Sequence, residues 1–329
     1  MKKTTLIFST LLLTLLSCKQ IAQTKSEEKP ANIENENSLK AKIESVIVKK
    51  HLYALSSDEM QGRKPGTEGM EKATKYIENE YKRIGLKTFK DLNSYRQNFI
   101  HDNIEMSNII GMLEGSSKKD EFVIVSAHHD HLGMKKDGEG DLIFNGANDD
   151  ASGVVGVLSL AEYYAQKGNN ERSILFVCFT AEEIGLVGSN YFGKNIDPEQ
   201  FVAGINLELI GKQPKTGPKT AWLTGFNRSD FGKIIQKNLK GTDYQLFPDP
   251  YTKFNLFFRS DNASLAKLGV PSHTFSTTSI DTDEHYHKVS DEAETLNIQV
   301  LTETVKAVAK GTESIIKGTD TPTRIKLTE

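Results

Sequence analysis

An α/β fold built on a largely parallel sheet, with helices on both faces, is predicted by two features of the chain. Short apolar runs alternate with helical patterns, in the order Glu121 to Ala127, Ser152 to Gln166 (helical), Ser173 to Thr180, Val202 to Leu207 and Ser272 to Ser276. Unusual polar residues then follow those runs instead of being scattered, and in such sheets ligands bind beyond the carboxyl ends of the strands.

The N-terminal elements read as export and tether. Lys2 and Lys3 precede an apolar stretch from Leu6 to Leu16 broken only by Ser and Thr, which predicts a secretory leader over residues 1–18. The stretch is short of the roughly 20 apolar residues needed to span a bilayer. Its end, Leu15-Leu16-Ser17-Cys18, resembles a bacterial lipoprotein processing site, so Cys18 is expected to be lipidated and to hold the protein on an extracytoplasmic membrane face. Residues 19–40 are rich in Lys, Glu, Asn, Gln and Ser and cannot bury enough surface to fold, which predicts a flexible tether.

A single domain is expected over residues 41–315, and a loose tail over 316–329. Near its start, Met70, Ala73, Ile77, Tyr81 and Ile84 fall at helical spacing ahead of Gly85, a suitable C-terminal cap. Cys178, inside the run from Ser173 to Thr180, reads as core filler, and a mature chain beginning at Cys18 has no disulfide framework. The formal net charge of −3 becomes −5 once Lys2 and Lys3 are removed, so no basic field exists to hold a nucleic-acid backbone.

Four segments bring metal-type side chains to one sheet edge: His128-His129-Asp130-His131, Ala181-Glu182-Glu183, Glu208, and Asp283-Glu284-His285-Tyr286-His287. Five of the eight histidines fall in just two of these segments, and histidine with carboxylate is what zinc accepts. Between the first two lies Gly146-Ala147-Asn148-Asp149-Asp150-Ala151-Ser152-Gly153, where small residues allow a tight turn that presents a carboxylate just before a helix.

Ser126 to Gly133, Gly146 to Gly153 and Thr180 to Ser189 resemble, in order and spacing, the metal motifs of the co-catalytic di-zinc aminopeptidase family, metallopeptidase family 28 of clan MH. Tyr286-His287-Lys288-Val289-Ser290-Asp291 resembles its final histidine motif, and the upstream segments Ser57 to Thr67 and Asn108 to Gly111 extend the likeness over roughly residues 45 to 310. The resemblance implies a three-layer α/β/α fold with a mostly parallel mixed sheet, peptide substrates and two zinc ions. It places His128 and Glu208 on one zinc, Glu183 and His287 on the other, and Asp149 between them. Glu182 would be the general base, with His129, His131 and His285 as neighbours without a ligand role.

Around that set, Asp130 is expected to accept a hydrogen bond from the far nitrogen of His128, and Asp291 to stand in the outer layer of the site. Tyr286 could donate to a developing oxyanion or simply pack beside the site. Three carboxylates plus one hydroxide carry four negative charges, which matches two divalent ions. The chain departs from the family at Glu208, where aspartate is usual, and at Asp283, where histidine is common.

The expected activity is hydrolysis of the peptide bond beside a free amino terminus. Glutaminyl cyclase chemistry on the same scaffold, carboxypeptidase or dipeptidase activity, and a binding protein without catalysis are the alternatives. Arg259 bears on the second of these: it could hold a substrate carboxylate, although an arginine paired within the structure is the commoner outcome. The stretch from Tyr95 to Asn108 is too short for an inserted protease-associated domain, so an open approach to the site is expected.

Overall fold

The computed structural model describes Met1 and residues 41–327. The rest of the expected leader, Cys18, the tether and residues 328–329 lie outside the described residues. No helix among the described residues is long and apolar enough to cross a membrane.

Chain alternation builds the central layer. Its strands are β1 (Arg96–His101), β2 (Ile104–Leu113), β3 (Lys118–His128), then, after a small antiparallel pair β4 (Gly133–Met134) and β5 (Ile143–Phe144), β6 (Arg172–Phe179), β7 (Phe201–Leu207), β8 (Thr220–Leu223), β9 (Gln245–Pro248) and β10 (Ser272–Ser276). The eight-stranded sheet runs β1-β2-β6-β3-β7-β10-β8-β9. Its centre, β6-β3-β7-β10, is parallel, whereas β1-β2, β2-β6 and β10-β8 are antiparallel and β8-β9 is again parallel.

Because successive side chains on a strand point to opposite faces, the central strands feed two cores. Val123, Val125, Ala127, Ile174, Phe176, Cys178, Ala203 and Ile205 enter one cluster, shared with the helices Ser45–Leu55, Glu68–Ile84, Ser152–Lys167 and Ile298–Gly311. Phe122, Ile124, Leu175, Val177 and Phe179 enter the other, covered by the helices Val187–Lys194 and Asn262–Ala266. The result is the three-layer α/β/α arrangement. Each fully buried Val, Leu, Ile or Phe contributes about 1.5–3 kcal/mol, which favours near-continuous apolar runs in strands covered on both faces.

The helix Glu68–Ile84 follows the periodicity of its sequence. Thr67 caps it by accepting from the Met70 amide at 3.3 Å, Glu68 and Glu71 occupy the first turn, and Lys82 and Arg83 the last. Gly85 closes it at φ 86°, a conformation that favours glycine. On its buried face, the Tyr81 hydroxyl donates to the Phe176 carbonyl at 3.0 Å and meets the Cys178 thiol at 3.5 Å.

The structure differs from the sequence reading at the sheet edges and at the C-terminus. Of the stretch from Tyr95 to Asn108, residues 96–108 fall within the β1–β2 hairpin, and β8 and β9 extend the other edge. The tail is not loose over the described residues. Arg324 donates to the carbonyls of Pro198 (3.0 Å), Phe201 (3.0 Å) and Leu268 (3.1 Å), the Ile325 amide bonds Gly269 O at 2.9 Å, and buried Arg172 holds the Asp320 carbonyl at 2.8 Å. Satisfied donors and acceptors at loop ends fix this segment where apolar periodicity is absent.

Candidate metal centre

The carboxyl ends of the parallel strands assemble the site. His128 is the last residue of β3, Glu182 and Glu183 follow β6, and Glu208 follows β7. Asp149 lies in the turn 147–151 ahead of the helix Ser152–Lys167, and His287 arrives on the loop after β10 with a positive φ of 57°.

Four of the five expected ligands meet directly. His128 Nε2 is 3.2 Å from Asp149 Oδ1, and His287 Nε2 is 3.1 Å from both Asp149 Oδ2 and Glu183 Oε2. Asp149 therefore stands between the two imidazoles. Glu208 forms no ion pair with His128 or His287 among the described residues, but the charges of His128, Asp149 and Glu183 act on it, and it lines a pocket with Trp222, Leu256, Arg259, Ile280 and Tyr286.

The outer layer is backbone held by carboxylates. Asp291 accepts from the amides of Asn148 (3.0 and 3.1 Å) and Asp149 (3.0 Å), which fixes the turn that aims the Asp149 side chain. The Asp130 carboxylate accepts from the amides of Glu182 (3.1 Å) and Glu183 (3.4 Å). Here the sequence reading is corrected. His128 Nδ1 faces the Asp130 backbone carbonyl at 3.1 Å, whereas the Asp130 carboxylate is 3.8 Å away because it turns to the Glu182–Glu183 backbone.

Two residues without an expected role also belong here. Asp150, fully buried, accepts from the amides of Gly153 (3.0 Å) and Leu209 (3.3 Å) and so ties the helix start to the residue after Glu208; a side chain at Gly153 would strike its carboxylate at 2.4 Å. His131 Nδ1 lies 2.7 Å from Glu183 Oε1, and His131, Asp149 and Glu183 each offer an atom within 4.8 Å of the others. The His-x-x-His spacing in the 128–131 segment was the available signal.

Charge is concentrated and only partly offset. Burial, reinforced by the charges of Glu208, Asp261 and Glu183 and opposed by His128, pushes Glu182 well above the ordinary carboxylate range. Burial also raises Glu208 to about 7, with His128 and the Ser260 hydroxyl pulling the other way. Burial works against charging His287, but its contacts with Asp149 and Glu183 win and carry it to about 10. Burial, with the charges of Asp149, Glu208 and Glu183, raises the Tyr286 hydroxyl far above its usual range, and its ring stacks on His287 at 4.0 Å.

The donor set fits a divalent cation. His128 Nε2 and Asp149 Oδ2 are buried and have no hydrogen-bond partner among the described residues, despite contacts of 3.1–3.2 Å. Imidazole nitrogens and carboxylate oxygens that converge without aligning on one another are suited to a shared metal. In the pocket, Arg259 has no side-chain hydrogen bond or ion pair among the described residues, unlike the paired arginine that is the commoner outcome. On the segment that carries His287, Asp283 pairs with Lys212 at 2.6 Å.

A three-layer sheet enzyme with imidazoles and carboxylates gathered at its strand ends is the class that fold and site define. Residues 108–312 match peptidase family M28, and the chain belongs to that family. Among curated relatives, a probable leucine aminopeptidase of Arthroderma otae is 30% identical over 256 residues, which cover 72% of this chain and 63% of the relative; the match thus spans less than two thirds of that protein. Among solved structures, a zinc aminopeptidase from Bacillus subtilis superposes with a TM-score of 0.68 at 15% identity over 84% of this chain and 96% of that one. A glutaminyl cyclase from Porphyromonas gingivalis superposes with a TM-score of 0.64 at 18% identity over 83% and 99%.

Proposed function

We propose that the protein is a zinc-dependent aminopeptidase. In this reading His128, Asp149, Glu183, Glu208 and His287 hold two zinc ions, and Glu182 is the general base. The observation that carries it is the placement of the Asp149 carboxylate between the imidazoles of His128 and His287, at 3.2 and 3.1 Å. Zinc bound there would supply a Lewis acid for the peptide carbonyl and bring a water's pKa towards neutrality.

The chain's own groups do the rest. Glu182, whose pKa is raised by burial, takes a proton from water and returns it to the departing amine. Tyr286 keeps its proton and can donate it as a hydrogen bond to the oxygen that gains charge. Glu182→Gln is expected to lower kcat by roughly 10²–10⁴-fold with zinc content unchanged. Near-normal turnover of an aminoacyl chromogenic substrate by that variant would remove Glu182 from the role.

Arg259 favours a second reading, carboxypeptidase or dipeptidase action, because it lines the pocket with its side chain unpaired among the described residues. Hydrolysis of amino-blocked peptides in preference to free-amine ones would select it. In either reading the peptidase domain takes in residues 41–315 together with the packed segment 316–327. Lipidation of Cys18 on an extracytoplasmic bacterial membrane rests on the Leu15–Cys18 sequence. Labelled palmitate that enters the wild type but not Cys18→Ala is the expected result.

A further inference from the structure

Arg63 is among the largest fully buried side chains, with 1% of its surface exposed. A buried arginine is ordinarily paired with an acid, but all five of its hydrogen bonds go to backbone carbonyls. Nε donates to His129 O at 3.0 Å, Nη1 to Leu55 O at 2.8 Å and Asn145 O at 2.5 Å, and Nη2 to Gly146 O at 2.9 Å and Asp149 O at 3.4 Å.

Four of those acceptors lie on the two segments that carry His128 and Asp149, and the fifth, Leu55 O, ends the helix Ser45–Leu55. The Arg63 carbonyl also accepts from the His131 amide at 3.2 Å, so the residue grips the first loop from both its ends. Backbone shape gives a separate sign of a wedge. Residues 61–63 have φ values of 50°, 67° and 49°, and a Cβ on Gly62 would strike the carbonyl oxygens of Gly133 at 2.2 Å and Phe144 at 2.7 Å. The segment is thus pressed between the strands that bound these loops.

We propose that Arg63 is a positioning residue of the metal centre: it fixes the separation of the His128 and Asp149 loops and supplies a permanent positive charge beneath the carboxylates gathered there. The inference rests on the ligand set proposed above. Its charge is not cancelled by a hydrogen-bonded acid, while Asp149, Asp291, Asp130 and Asp150 are near enough to act on it. The planar fork is needed because one ammonium nitrogen cannot reach carbonyls arranged around its plane. Lysine at this position would keep the charge and lose the geometry.

The test compares the wild type, Arg63→Lys and Arg63→Met in the full chain. Zinc affinity is read by competition with a chromogenic chelator, and melting is followed with and without zinc. Arg63→Lys is expected to fold, to bind zinc roughly ten- to a hundredfold more weakly, as with other outer partners of metal ligands, and to melt with a smaller zinc-induced rise. At saturating zinc its kcat should fall while KM changes little.

Metal-free melting lowered in Arg63→Lys, with zinc affinity and turnover per bound zinc unchanged, would show a merely structural arginine and overturn the proposal. If Arg63→Met does not fold, Arg63→Lys decides. A wild type that binds no zinc would defeat the ligand set and this inference together. A wild type that binds zinc but cleaves no peptide would defeat only the activity, and the affinities would still decide the role of Arg63.

Discussion

His128 and His129 are neighbours in sequence and equally buried, yet they occupy opposite environments. His128 faces Asp149, and although burial opposes its charge, the nearby Glu182, Asp150 and Asp149 carry it well above the ordinary histidine value. His129 points the other way, to the Phe179 carbonyl at 2.6 Å and the Thr74 hydroxyl at 3.4 Å, and burial brings it down to about 3. His273 repeats the second pattern between the Thr224 carbonyl and the Ser229 hydroxyl, with burial lowering it to about 4. Strand alternation sends adjacent side chains to different faces, and the partners met there decide which histidine can serve a metal.

The largest expected effect separates the adjacent pair. His128→Ala should lose zinc and more activity than the ten- to hundredfold typical of an outer partner, with metal-free melting little changed. His129→Ala should do the reverse, keeping zinc while losing about 1–3 kcal/mol of stability from unmade hydrogen bonds and packing. Equal zinc loss in both variants, measured by metal analysis, would break the comparison.

Acid should expose the second pattern. A histidine whose folded pKa lies below its unfolded value of about 6.5 gives stability that is complete above that value. That stability drains as pH falls, because the unfolded chain binds the proton first, and the loss ends only near the folded pKa. For His273 the window runs from about 6.5 down to about 4. Over it, His273→Gln should show a denaturation free energy that falls less steeply with acid than the wild type, by up to about 1.4 kcal/mol per pH unit. Parallel slopes would mean that His273 is not held neutral.

The smallest effect is expected at His101, whose side chain is 39% exposed beside Asp102. His101→Gln should leave zinc content unchanged and alter stability by no more than about 0.5 kcal/mol.

Much of the fold was legible because its central strands are covered on both faces and so carry apolar runs. The expected run from Ser272 to Ser276 coincides with β10, and the helix expected before Gly85 ends at Ile84. The β1–β2 hairpin was less legible, since β1 lies at the sheet edge and Asn98, Ile100 and Glu105 are exposed. At the site, the clustering of His128, Asp149, Glu183 and His287 could be anticipated from motif order. Which atom of Asp130 meets His128 could not, because that depends on the Glu182–Glu183 backbone competing for the carboxylate. Arg63 was hidden for a similar reason: its partners are carbonyls, which every residue has and no side-chain pattern announces.

The Cys178 thiol beneath Tyr81 has a practical corollary. It is fully enclosed, and burial pushes its pKa up to about 12, so maleimide reagents find almost no thiolate there. The chain has one other cysteine, Cys18. Exchanging it leaves a protein in which a cysteine installed at exposed Ile184, beside the Glu182–Glu183 pair, would take a fluorophore or spin label at a single place. Substrate arrival at the cleft could then be followed spectroscopically.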